Sequence, residues 1–218
     1  MTEPVLPARE IRVWGDYACF TRPEMKVERV TYPVMTPSAA RGVLEAVFWK
    51  PEVTWRVDEI WVLKDIRYAS LLRNEVNTRA SERAAAGWAK DGRGGFVAPE
   101  DRSQRHTLAL RDVEYVIRAQ LLLRPHATDD IAKYRDQFRR RVRDGRCFAT
   151  PYLGCREFSA AFAEPSGNEL PIDVSDDLGR MLHDLAYAPD RSGRATPLWF
   201  PARLERGILR VPLLAQEA

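Results

Sequence analysis

The chain has 218 residues, 45% of them hydrophobic and 30% charged, with a formal net charge of +3. This is the profile of a soluble globular protein built as one large domain or a domain with a small appendage, and it excludes a disordered chain. No run approaches the roughly 20 apolar residues that a membrane-spanning helix needs, and MTEPVLPARE has neither the basic start nor the apolar core of a secretory signal, so a cytoplasmic location and no membrane partner are expected.

Residues 11–20, IRVWGDYACF, mostly alternate apolar and polar positions and predict a strand. A polar loop with Pro23, Lys26, Glu28 and Arg29 follows, then a short extended piece over 30–35. The next element is a well-marked helix. Thr36 is placed to cap it, Pro37 suits the first helical position, and Ala40, Val43, Leu44 and Val47 line one face up to Trp49. Pro51 stops it. Residues 53–66, rich in Val and Trp, predict a second strand. From 68 to 105 the composition shifts to Gly, Ala, Ser and charge, with GRGG at 92–95, and a basic, mobile insertion is expected.

Order resumes at 106–123 with a long strand. Residues 131–146, IAKYRDQFRRRVRDGR, then form an amphipathic helix. Ile131, Tyr134, Phe138 and Val142 recur at helical spacing, Asp129 or Asp130 can cap the start, and Gly145 sits where a left-handed C-terminal cap falls. Seven basic residues stand against two acidic ones between Lys133 and Arg146. This is a segregated charge in a nearly neutral chain, and it attracts polyanions. A solvated helix face is the alternative. Arginine heavily outnumbers lysine along the chain, and its planar fork suits bidentate phosphate contacts. A fourth strand is expected over 147–158, followed by short strands over 181–187, 197–204 and 207–213. The last two are joined by a hairpin at Glu205–Arg206–Gly207.

This order predicts an α+β fold: a ferredoxin-like or RNA-recognition-type βαββαβ domain with a basic insertion, plus a small C-terminal antiparallel β-sheet. The expected boundaries are 1–165 for the first domain, with its insertion at about 68–105, and 166–218 for the second. HExxH, P-loop, GxGxxG and GxSxG motifs are all absent. Cys19, Cys147 and Cys155 are too scattered for a paired zinc site and read as reduced core or strand residues. The histidines His106, His126 and His183 are dispersed. No metal site and no cofactor are expected.

Four segments together resemble one family: residues 15–51, 66–76, 102–119 and 145–158, with TPSAARG…FWKP and PYLGCREF the most specific stretches. They are similar to the CRISPR-associated RAMP-superfamily proteins of the fifth Cas family, in the type I-C (Dvulg) subtype. The resemblance implies an endoribonuclease that cuts precursor CRISPR RNA at the base of each repeat hairpin. It implies that the protein then stays on the 5′ handle, with the other subunits of a type I-C interference complex as partners.

In that family the catalytic set is similar to a tyrosine near the end of the first helix and a neighbouring lysine and histidine at the start of the second. Here the first position carries Phe48, which can stack on a base or shape the pocket but cannot exchange a proton. The second helix supplies Lys133 and no adjacent histidine. Lys133 is therefore the expected catalytic residue, as phosphate clamp or, if the surrounding arginines lower its pKa, as base. Tyr134 is the phenol beside it, though it also lies on the apolar stripe. His106 supplies an acid/base group if the insertion folds back. Candidates for RNA backbone contact are Arg73, Arg79, Arg83, Arg102 and Arg105 in the insertion and Arg139, Arg140, Arg141 and Arg143 on the helix. Trp14 and Tyr115 are candidates for base stacking on the sheet, or are core residues of its covered face. Two other readings stay open: a non-catalytic RNA-binding subunit that only holds the handle, and a general nucleic-acid binder that also takes duplex DNA.

Overall fold

The computed structural model describes residues 9–78, 81–95, 97–188 and 192–213. Helix α1 (Pro37–Val47) starts as its sequence dictates. Thr36 is extended, and its hydroxyl accepts a hydrogen bond from the Ala39 amide at 3.3 Å. Ala40, Val43, Leu44 and Val47 are buried along one stripe. The helix stops at Val47 because Phe48 turns extended, at φ −144°. That turn sends the Phe48 ring into the core and leaves Trp49 on the surface.

The strands are β1 (Arg9–Ala18), β2 (Arg29–Val30), β3 (Val53–Val62), β4 (Tyr68–Val76), β5 (Arg102–Leu123), β6 (Ala161–Ala163), β7 (Asp176–Tyr187), β8 (Ala195–Glu205) and β9 (Ile208–Arg210). The other helices are α2 (Glu82–Asp91) and α3 (Ile131–Arg143). The strands form one large sheet in the order β6-β1-β5-β3-β9-β8-β7, antiparallel at every step along that path. The short β2 joins β5 in parallel, and β4 joins it antiparallel. The molecule is thus an α+β fold dominated by an antiparallel sheet with few helices.

Helices α1 and α3 supply the apolar side chains that cover one face of this sheet. Alternate residues of β3 (Val53, Trp55, Val57), β1 (Ile11, Val13) and β5 (Tyr115, Ile117, Ala119, Leu121) point into that core. Tyr134, Phe138 and Val142 of α3 meet them, and the Phe138 ring lies edge-on to Trp55 with centroids 4.7 Å apart. Tyr115 is therefore a core residue and cannot stack a base. The opposite face is half-exposed, and its cations form ion pairs within the fold. Arg12 bonds Glu114 at 3.1 Å and lies over Trp14, while Arg118 bonds Glu10 and Glu59 and lies over Trp61. Trp14 is capped by that guanidinium.

Three expectations change. The described residues of 68–105 are mostly in regular elements rather than a loop. Strand β4 pairs along its whole length with Arg102–Leu110 of β5, and α2 sits between the two strands, capped by Ser81. It is an ordered arm built on an extension of the central strand. Residues 147–158 are not a strand either. They form successive turns with a single bridge between Tyr152 and Ser159, and the edge strand is β6. The third concerns β7, which begins at Asp176, five residues earlier than the sequence suggested, and runs the full length of β8. The β8–β9 hairpin forms where expected, with Arg206 and Gly207 at positive φ. Strand β9 also pairs with β3 through Glu59–Arg210, Ile60–Leu209 and Trp61–Ile208, so the C-terminal strands extend the main sheet.

Candidate nucleic-acid interface

The N-terminal end of α3 is set by Asp130, whose carboxylate accepts the Ala132 amide at 2.6 Å. With Tyr134, Phe138 and Val142 fixed inward, the helical repeat assigns every other side chain a direction. Lys133, Gln137, Arg140 and Asp144 fall on one flank. Arg139 and Arg143 fall on the other side and make local ion pairs with Asp136 (3.3 Å) and Asp144 (3.0 Å). Arg141 leans across the inner edge. Its guanidinium donates to the Val47 carbonyl at 2.9 Å and lies over the Phe48 ring. Gln137, Arg140, Arg141, Asp144, Arg146 and Cys147 line one open groove. The four arginines expected on this helix are therefore split between two directions.

Lys133 is exposed, and its Nζ donates to Asp129 Oδ2 at 2.7 Å. That hydrogen bond, together with the Asp129 and Glu52 charges, raises the lysine above its usual pKa. That direction favours the phosphate-clamp role of Lys133 over the role of base. Tyr134 is 3% exposed, burial raises its pKa, and its hydroxyl reaches Asp129 at a long 3.5 Å. It is a core phenol with one edge at the site.

Phe48 is 1% exposed, enclosed by Phe138, Trp55 and Arg141, with its carbonyl accepting the Trp55 indole N–H. It shapes the wall beneath the site and does not present a face to a base.

His106 is exposed on the arm, where its backbone amide donates to the Glu28 carboxylate. It lies on the order of 50 Å of strand away from Leu123, the end of β5 that leads to Lys133, at about 3.3 Å per residue. The arm does not fold back to bring them together.

The arm arginines are likewise apart from α3. Arg73 is held by Glu75 and Glu157 and Arg105 by Glu28. Arg83 and Arg102 are exposed. Arg79 lies outside the described residues.

The sequence did not single out His126. In the turn between β5 and α3, its Nε2 lies 3.0 Å from the Pro51 carbonyl, and the next backbone link ties Arg124 N to Glu52 O. A carbonyl only accepts, so Nε2 carries the proton and Nδ1 is a free lone pair in the neutral ring. His126 is thus an exposed imidazole in the loop ahead of α3, seven residues before Lys133 in the chain. The signal for it was local: a His next to Pro and ahead of the Asp129–Asp130 cap.

Cys147 is exposed rather than in the core. Among the described residues no group of three or more His, Cys, Asp or Glu is arranged to hold a metal ion, and no helix is long and apolar enough to cross a membrane.

Comparison with known proteins gives the family. The family model described as CRISPR-associated protein (Cas_Cas5), in its Cas5d form, matches residues 10–212. The chain is 47% identical over 218 aligned residues to a Thermus thermophilus protein named CRISPR pre-crRNA endoribonuclease Cas5d, covering 93% of this chain and 90% of that one. It is 44% identical over 214 residues to a Mannheimia succiniciproducens protein of the same name, covering 93% of each. A solved structure titled as a CRISPR-associated protein superposes with a TM-score of 0.67 at 22% identity, over 97% of this chain and 95% of that one, which reports the fold alone. With the family model spanning residues 10–212 and both relatives aligned over 90% or more of each chain, the chain belongs to the CRISPR-associated Cas5d family.

Proposed function

We propose that this chain is an endoribonuclease that cleaves precursor CRISPR RNA at its repeat hairpin without a metal ion, and then holds the 5′ handle within a type I-C interference complex. The observation that carries the reading is the Lys133 ammonium. It is exposed and oriented by Asp129, with His126 in the loop that leads into the same helix, and it stands at the head of the α3 flank that continues to Arg140, with Arg141 at its inner edge. The strand order β6-β1-β5-β3 with α1 and α3 as crossovers supports a ferredoxin-like domain over residues 1–165, and the β7–β8–β9 unit supports a C-terminal region over 166–218.

The chemistry follows from those groups. His126 Nδ1 takes the proton from a ribose 2′-hydroxyl, the 2′ oxygen attacks the adjacent phosphorus, and the bond to the 5′ oxygen breaks. Lys133 faces the phosphorane and offsets its growing negative charge. The leaving 5′ oxygen takes a proton from solvent water, giving a 2′,3′-cyclic phosphate and a 5′-hydroxyl. The test is incubation with the cognate repeat RNA in EDTA, followed by mapping of the product ends. One cut at the hairpin base ending in a cyclic phosphate supports the enzyme. Intact RNA that is nevertheless bound tightly overturns it in favour of a structural subunit, a reading that the proton-free Phe48 ring favours.

Binding is expected to weaken with salt. If Lys133, Arg140 and Arg141 each neutralise a phosphate, the logarithm of affinity falls with that of salt by a slope of about 2, at roughly 0.7 per contact on single strands. Fluorescence anisotropy between low and high salt measures it, and a flat response removes the electrostatic account. Competition by unrelated duplex DNA at equal affinity would replace repeat recognition with general phosphate binding.

A further inference from the structure

Beyond the end of α3 the groove meets an aromatic pair that the cleavage scheme does not use. Trp49 is 46% exposed and Phe148 64% exposed, with ring centroids 5.8 Å apart and planes tilted by 33°. Large aromatic side chains are rarely left open together without a partner. Their position is fixed by backbone. Phe48 turns the chain out of α1, so Trp49 leaves the core, and the amides of Phe148 and Ala149 both bond the Ala46 carbonyl at 2.7 and 2.9 Å.

The surroundings of the pair are cationic. Arg140, Arg141, Arg146 and Cys147 line the adjoining groove, and Lys50 is exposed next to Trp49. Arg140 and Arg146 have no acidic partner among the described residues. Lys133 and Arg140 share one flank, about 10 Å apart along the helix at 1.5 Å per residue. A strand whose phosphate sits at Lys133 and which follows this flank therefore reaches the aromatic pair within a few nucleotides.

We infer that Trp49 and Phe148 form a stacking platform for an unpaired base of the RNA strand that passes Lys133, with Arg140, Arg141 and Arg146 gripping its backbone. This rests on the RNA reading of the Lys133 site. A single-stranded nucleic acid suits both halves of the surface, because its bases stack on aromatic faces while its phosphates meet arginines. A protein partner would need acidic groups to match the arginines beside an apolar anchor, and is the competing outcome. The sheet face on which RNA-recognition folds stack bases is occupied here by paired cations. The helix side carries the open aromatics.

The experiment uses a repeat hairpin blocked by a 2′-deoxy sugar at the cut site, either with its single-stranded flanks or trimmed of them. Anisotropy is read for the wild type, Trp49→Ala/Phe148→Ala and Phe148→Trp, with circular dichroism to show that each is folded. The double variant is expected to lose on the order of 10-fold in affinity for flanked RNA, little for trimmed RNA, and to keep its salt slope, while Phe148→Trp binds as the wild type does. In parallel, wild-type protein irradiated with 5-iodouridine in the flank is expected to crosslink at Trp49 or Phe148, a readout that needs no variant.

Equal affinity of the double variant for flanked RNA overturns the platform, as does an equal loss for both RNAs. So does a defect seen only in assembly with protein subunits. Failure of the wild type to cleave, with the flank-dependent loss intact, overturns the enzyme reading and leaves the platform standing. Failure to bind either RNA overturns both.

Discussion

Lys133→Ala is expected to abolish cleavage of the repeat RNA, by roughly 100-fold or more, while the hairpin is still bound. The magnitude is that of removing one preorganised group facing the charge that develops in a transition state. Binding persists because the remaining cations of the flank stay in place. Stability should not follow activity, since the Lys133–Asp129 pair is exposed and such pairs contribute little. A single-turnover rate beside a thermal melt separates the two. Full activity of Lys133→Ala removes it from the mechanism.

The same geometry predicts a pH response. The Asp129 hydrogen bond raises the Lys133 pKa, so the ammonium persists beyond the alkaline range where a free lysine would lose its proton. Asp129→Asn takes that support away. The falling alkaline limb of the rate profile should then move toward neutral pH, with no comparable move of the acid limb. An unmoved alkaline limb would show that Asp129 does not set the charge state used in the reaction.

Gly154→Ala is the second large effect, and it acts on the fold. Gly154 has φ +83°, where an L side chain is strained, and a Cβ there would lie 2.1 Å from the Cys19 carbonyl oxygen and 2.7 Å from its carbon. Both neighbours are backbone. The Cys19 amide also bonds the Leu153 carbonyl at 3.0 Å, so β1 and the 147–158 turns are locked together at this point. Strain and overpacking together should cost about 2–4 kcal/mol, a fall of roughly 10 °C in melting temperature for a chain of this length. Gly42→Ala is the control: it sits in α1 with open space around its ideal Cβ, so it should hold or raise stability.

These residues show what the sequence made legible. Both flanking helices were readable because their signals are local: Thr36–Pro37 and Asp130 at the starts, Gly145 at the end, and apolar stripes between. The strand β4 was missed for a physical reason. It alternates as a strand should, but its alternation separates exposed from half-exposed positions, with no apolar face for a core. The turns of PYLGCREF were mistaken for a strand because Tyr152, Leu153 and Phe158 are strand-like residues. Only the demand for positive φ at Gly154, imposed by Cys19 from 135 residues away, marks them as turns.

At the candidate site, Lys133 was legible as a cation at a helix start. Its protonation state was not, because that depends on Asp129 and on Glu52 from another element. Phe48 read, through the resemblance, as a residue that stacks on a base or shapes the pocket, and its burial favours the second. Trp49, the next residue, received the exposed position.

The closure of the sheet has a consequence for synthesis. Strand β9 sits between β3 and β8, yet it follows every other strand in chain order. While the polypeptide emerges from the ribosome, β3 can pair with β5 on one side, but its other margin waits for residues 208–210. Until then the nascent molecule carries an uncovered, Val- and Trp-rich border that invites pairing with neighbouring chains. Emergence of residues 208–210 is thus the step that covers this border of β3.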